Sequence, residues 1–122
     1  FHRDADGLVP AEGCALVVLR RLEDAVRDGD RILGVIRGIG LSNDGRARGV
    51  LAPSEEGQIR AMRGAYEAAG LGPDAVDYVE CHATGTPVGD ATELRSLRAV
   101  MGASAPPIGS LFRPRQRSCS SS

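Results

Sequence analysis

Within one short stretch the sequence gathers a histidine, two threonines around a glycine, and two carboxylates: His82, Thr84, Gly85, Thr86, Asp90 and Glu93. A histidine can donate a hydrogen bond or shuttle a proton near neutral pH, because its unperturbed pKa is about 6.5. Threonine hydroxyls both donate and accept, and the glycine between them lets a polar chain come close to the backbone. Together these groups suit a bound carbonyl with an amide-rich arm trailing behind it. His82 also has a plainer reading, as a buried histidine whose hydrogen bonds are satisfied internally, and the residues alone leave both open. So do the acids. Asp90 followed by Glu93 resembles a capping box with aspartate as the cap, and negative charge suits the first turn of a helix whatever else it does.

Other chemistries fit less well. A metal centre built from Cys81, His82, Asp90 and Glu93 is not expected, because neighbours on a strand point to opposite faces and His2 is remote in sequence. There is no phosphate loop, dinucleotide fingerprint or GxSxG elbow. The cysteines, Cys14, Cys81 and Cys119, are far apart with no CxxC pair and read as free thiols. Cys81 adjoins His82, yet the alternation of a strand turns it toward the interior. Cys14 lies in an apolar run and is expected in the core.

The elements that must position these residues follow from pattern. Val76–Cys81 reads as a strand that delivers His82 at its carboxyl end, where ligands sit in open α/β sheets. A helix after Asp90 turns Leu94, Leu97 and Met101 inward and stops at Gly102. Upstream, Cys14–Leu19 is continuously apolar, as a strand covered on both faces would be. Arg21–Asp28 has helical spacing and ends at Gly29. Ile32–Leu41 is β-branched and punctuated by glycine, which fits a long strand that bends or admits another backbone closely, with Asn43-Asp44-Gly45 as its turn. Ser54 caps a helix whose apolar positions are Ile59, Met62, Tyr66 and Ala69, ended by Gly70. Pro106–Leu111 begins a further strand.

The 122 residues, 42% hydrophobic and 25% charged, suit one small globular domain. The net charge of -1 argues against a nucleic-acid surface, and no apolar run approaches the length of a membrane span. No signal pattern opens the chain, so a cytoplasmic location is expected. Phe1 begins without a methionine inside what reads as a loop, and further residues are expected before it. After Leu111 the pattern breaks into an aberrant, Arg- and Ser-rich tail, 112–122, expected to be disordered; a frameshift or a truncated read would account for the break.

The motifs Asp4–Leu19 (DADGLVPAEGCALVVL), Asp28–Ile32, Val35–Gly38, Asn43–Gly45, Leu51–Pro53 and, above all, Asp77–Thr86 (DYVECHATGT) with Gly89, Asp90 and Glu93 resemble the β-ketoacyl synthase domain of polyketide and fatty acid synthases. The match runs in order from Phe1 to Leu111. The wording ECHATGTPVGD, where many modular synthases carry EAHGTGT, is similar to iterative, enediyne or polyunsaturated-fatty-acid types.

The resemblance implies an α/β, thiolase-like fold of α-β-α-β-α layers, with residues 1–45 at the end of its first half and 46–111 at the start of its second. It implies an acyltransferase that condenses malonyl-carrier protein with an enzyme-bound acyl thioester, releasing carbon dioxide. By position, His82 is then a catalytic histidine that hydrogen-bonds the malonyl thioester carbonyl. Thr84 and Thr86 line the channel for the phosphopantetheine arm, and Asp90 and Glu93 are supporting acids. No cofactor is bound directly; the substrates ride on an acyl carrier protein, and the complete domain is a homodimer. The nucleophilic cysteine is expected upstream of Phe1, since Cys119-Ser120-Ser121-Ser122 only mimics its elbow, and a second histidine is expected where the tail stands. The isolated chain is therefore expected to be inactive. The alternative is a non-catalytic dimerisation partner resembling a chain-length factor.

Overall fold

Two helices form where capping and apolar spacing coincide, and they carry the structure. The computed structural model describes residues 1–8, 10–44 and 52–110. Its helices are α1 (Leu22–Arg27), α2 (Glu55–Ala69) and α3 (Pro87–Met101), with single 3-10 turns at Pro73–Ala75 and Gly102–Ser104 and two strands, β1 (Val79–Glu80) and β2 (Ile108–Gly109). In α2 the Ser54 hydroxyl accepts the Gly57 N–H at 3.1 Å, and Gly70 closes the helix in the left-handed region at φ 64°. Both ends stand where the sequence places them. Helix α3 starts earlier than expected: Thr86, not Asp90, is its cap, accepting the Gly89 N–H at 3.2 Å, with Pro87 in the first helical position.

Helices α2 and α3 pack through small side chains. Ser96 is fully buried and donates to the Thr92 carbonyl at 2.9 Å, and Arg95 meets Glu55 across the pair at 2.8 Å. Strands β1 and β2 are parallel, Val79 opposite Ile108 and Glu80 opposite Gly109, and α3 is the crossover between them. Cys81 continues the ladder by donating its N–H to the Gly109 carbonyl at 2.8 Å. The core beneath is Cys81, Ala83 and Leu97, with Met62, Val79 and Met101 against it.

Other expectations are corrected. Cys14–Leu19 belongs to no strand among the described residues: Cys14 is exposed, and Leu16 and Val18 are 91% and 98% exposed. An apolar run becomes a buried strand only with a hydrogen-bonding neighbour and a covering layer, and the described residues supply neither here. Ile32–Leu41 likewise joins no ladder. It does make the close approach its glycines permit. A methyl group at Gly38 or Gly40 would strike the backbone of α2 at Ala65 and Ala61 respectively. Leu94, expected to face inward, is exposed. Arg60 secures the end of the 32–44 segment, reaching the Asn43 carbonyl at 3.1 Å and Glu56 at 2.9 Å. The turn residue Gly45, the irregular stretch up to 51, Leu111 and the tail 112–122 lie outside the described residues. Among the described residues, no helix is long and apolar enough to cross a membrane.

Candidate functional site

β1 ends at Glu80, and the chain then passes through Cys81 to His82 at the exposed tip. Cys81 turns inward, with its sulfur 3.9 Å from the Val79 carbonyl. Burial, and then the charges of Glu93 and Glu80, push the Cys81 thiol above its ordinary range, so it is held neutral and poorly nucleophilic. The alternation expected of a strand is thus present, with thiol inward and imidazole outward.

The backbone at the tip is held by the two acids from α3. Glu93 accepts the N–H of His82 at 2.7 Å through one carboxylate oxygen and the N–H of Ala83 at 2.9 Å through the other. Successive N–H groups converging on one anion form a nest, here made possible by Ala83 standing at φ 40°, in the left-handed region. Asp90 accepts the Gly85 N–H at 3.0 Å. The carboxylates that looked like a capping box therefore reach back to the loop rather than closing the helix. The sequence signal for the real cap was present: threonine followed by proline, with glycine where the first turn needs a small residue.

The two threonine hydroxyls lie 3.1 Å apart, and both are half-buried. The loop is covered from the N-terminal side. A side chain at Gly85 would meet the Gly7 carbonyl at 3.1 Å and the Ala5 methyl at 3.2 Å, and Gly85 itself is at φ 77°. This contact was not foreseen from the sequence, although an Asp-Gly pair at 6–7 is a turn signal.

His82 and Glu93 border a cavity of about 330 Å3 whose apolar wall is Met62, Val79 and Leu97 and whose polar rim includes Gln58. A larger cavity, about 450 Å3, lies beside Leu94, Arg98 and Ile108, and no residue of the 82–86 loop lines it. The smaller cavity is the one next to groups that can do chemistry. Thus His82, Glu93, Thr84, Thr86 and Asp90 are all brought to one loop and the first turns of one helix.

This arrangement has known counterparts. Residues 33–111 match the family profile described as beta-ketoacyl synthase, C-terminal domain. The chain belongs to the β-ketoacyl synthase family. It is 50% identical over 106 residues to a phenolphthiocerol/phthiocerol polyketide synthase of Mycobacterium tuberculosis, covering 87% of this chain and 6% of that protein. It is 51% identical to a mycocerosic acid synthase-like polyketide synthase of Mycolicibacterium smegmatis, again over 87% of this chain and 5% of the relative. The ketosynthase from module 6 of the bacillaene synthase of Bacillus subtilis superposes with a TM-score of 0.69 at 41% identity, over 75% of this chain and 17% of that one. A structure described as PfaC keto synthase-chain length factor gives 0.70 at 48% identity, over 73% of this chain and 10% of that one. The chain thus spans a small part of the length of these relatives, and its fold is a portion of the thiolase-like ketosynthase architecture. The uncovered apolar segments 14–19 and 32–41 are consistent with that partial span.

Proposed function

We propose that this chain is part of a β-ketoacyl synthase that carries out decarboxylative Claisen condensation on acyl-carrier-protein substrates, with His82 as its catalytic histidine. The observation that carries the reading is the double hydrogen bond from His82 and Ala83 to Glu93. It commits the two backbone donors nearest the tip, so charge developing on a substrate oxygen there must be met by the His82 ring rather than by the backbone.

In this reading the acyl group is carried on a thiolate from another segment of the synthase, because Cys81 is buried and held neutral. The carboxylate of the malonyl thioester leaves as carbon dioxide, and the electron pair of the broken C–C bond passes into an enolate. The ring N–H of His82 donates to the enolate oxygen. The enolate carbon then attacks the acyl thioester carbonyl, forming the new C–C bond and returning the thiolate. One preorganised donor of this kind is worth roughly 3 to 4 kcal/mol. Thr84 and Thr86 bind the phosphopantetheine arm, and Asp90 and Glu93 hold the loop from behind. The complete domain works as a homodimer, and the 122-residue chain alone has no condensing activity.

The test is His82→Ala in the complete synthase. Decarboxylation of malonyl-carrier protein should fall about 100- to 1,000-fold. A fall below about threefold would reduce His82 to a structural residue. Turnover by the isolated chain would overturn the claim that it is inactive alone.

A second reading is a non-catalytic partner of the chain-length-factor kind, favoured by two neighbours whose names pair a ketosynthase with a chain length factor. The coding sequence upstream separates the two readings: a cysteine in the nucleophile position supports the enzyme, and another residue there supports the partner.

A further inference from the structure

The 82–86 loop is held from two directions, and one of them is a turn far earlier in the chain. Residues 2–7 are tied by their own bonds: the Ala5 N–H donates to the His2 carbonyl at 3.0 Å, and the Asp4 N–H to the His2 ring nitrogen Nδ1 at 3.2 Å. Gly7 follows at φ 137°, a setting that glycine reaches without strain. The turn lies against Gly85, where a Cβ would stand 3.1 Å from the Gly7 carbonyl oxygen and 3.2 Å from the Ala5 methyl, tighter than most packed contacts. Gly85 is buried, and Asp90 accepts its N–H at 3.0 Å. It is thus fixed between a carboxylate on α3 and a packed turn. The tip at His82 and Ala83 has its own tie, through Glu93. A push at Gly85 is therefore felt first by its neighbours Thr84 and Thr86 and least by the imidazole.

We propose that Ala5 is a positioning residue for substrate binding: it touches no substrate, and its methyl, with the Gly7 carbonyl, is the stop against which the backbone at Gly85 is set. The inference rests on the arm-binding role proposed above and assigns the placing of that site to a remote turn. Because Gly85 has no side chain, the contact reaches the loop backbone directly, with no rotamer to absorb a shift. Close-packed interiors transmit displacement for the same reason. A side chain larger than alanine at position 5 has no room toward Gly85, so it drives turn and loop apart and carries the threonine hydroxyls with the loop.

The experiment compares Ala5→Val, Ala5→Ser and Thr84→Val in the complete synthase, reading KM for malonyl-carrier protein and kcat for decarboxylation. Ala5→Val should raise KM about fivefold, the size of one neutral hydrogen bond, with kcat within about twofold. Ala5→Ser, the conservative change, should keep KM within about twofold of the wild type. A merely structural role would lower the folded fraction, and so kcat, at constant KM; that result in Ala5→Val overturns the inference. Thr84→Val reports on the arm-binding reading separately. If it raises KM and Ala5→Val does not, the stop is overturned and the arm-binding reading stands. If Thr84→Val leaves KM unchanged, the arm-binding reading falls and the inference falls with it. Should Ala5→Val fail to fold, Gly85→Ala crowds the same contact from the loop side and should also raise KM. Adding Ala5→Gly to it makes room for the new methyl and should recover KM at least about twofold. An unchanged KM in Gly85→Ala, or no recovery in the pair, overturns the inference.

Discussion

The carboxylate of Glu93 spans two successive backbone N–H groups, those of His82 and Ala83, and so ties the tip of β1 to the second turn of α3. Replacing it with glutamine presents an amide NH2 to one of these donors and leaves that N–H unpaired. Glu93→Gln should lower domain stability by about 2 kcal/mol. In the complete synthase it should also lower kcat for decarboxylation about tenfold while KM changes little, because an imidazole displaced by a fraction of an ångström stabilises less charge. Thermal melts with steady-state decarboxylation check both, and a wild-type kcat in Glu93→Gln would count against the positioning role.

Gly40 and Gly38 sit against the backbone of α2, and a Cβ at either would run into it. Gly40→Ala in the ketosynthase domain should cost about 2 to 3 kcal/mol through forced separation of the segment from the helix. Gly34, which has nothing within 4 Å of its missing side chain, is the control. Gly34→Ala should stay within about 0.5 kcal/mol. Urea unfolding midpoints compare the two, and equal effects would refute the close packing.

Burial raises the Cys81 thiol above the ordinary 9.0, so the folded state favours the neutral thiol more than the unfolded state does. The stability this contributes is fully present below pH 9.0 and is lost as pH rises from there through the raised folded value. At pH 8, peptide-resolved alkylation should modify Cys81 at least about tenfold more slowly in the folded chain than in the same chain unfolded in urea. Comparable rates would show that the Cys81–Leu97 core is open.

Residues 14–19 and 32–41 leave Leu16, Val17, Val18, Leu33 and Leu41 exposed. A soluble chain that presents so much apolar side chain self-associates. The isolated chain should elute as polydisperse oligomers in light-scattering chromatography and bind a hydrophobic dye. A monodisperse monomer with a cooperative melt would contradict this.

Sequence alone revealed what local chemistry decides. Ser54 and Gly70 bound α2 as read, since capping and left-handed closure depend on a few neighbouring residues. The inward thiol and outward imidazole at 81 and 82 followed from strand alternation. The membership in the ketosynthase family was legible in the spacing of several motifs. Partners distant in sequence were not legible. Nothing local says that Glu93 returns to the backbone of residue 82, so its carboxylate was read with Asp90 as part of a cap that Thr86 in fact supplies. The Cys14–Leu19 run failed for a related reason: apolarity marks a segment that prefers cover, while a ladder also requires a neighbouring strand.

Ala83 carries a consequence for how this loop can vary. Its φ of 40° is a conformation in which glycine is at ease and any branched or long residue is strained, and its methyl is buried with Cys81 and Leu97. Position 83 therefore tolerates only the two smallest residues, glycine by conformation and alanine by the void its methyl fills. Diversity among enzymes using this loop has to enter beside the hinge, through the walls that face the histidine, while the hinge itself keeps its shape.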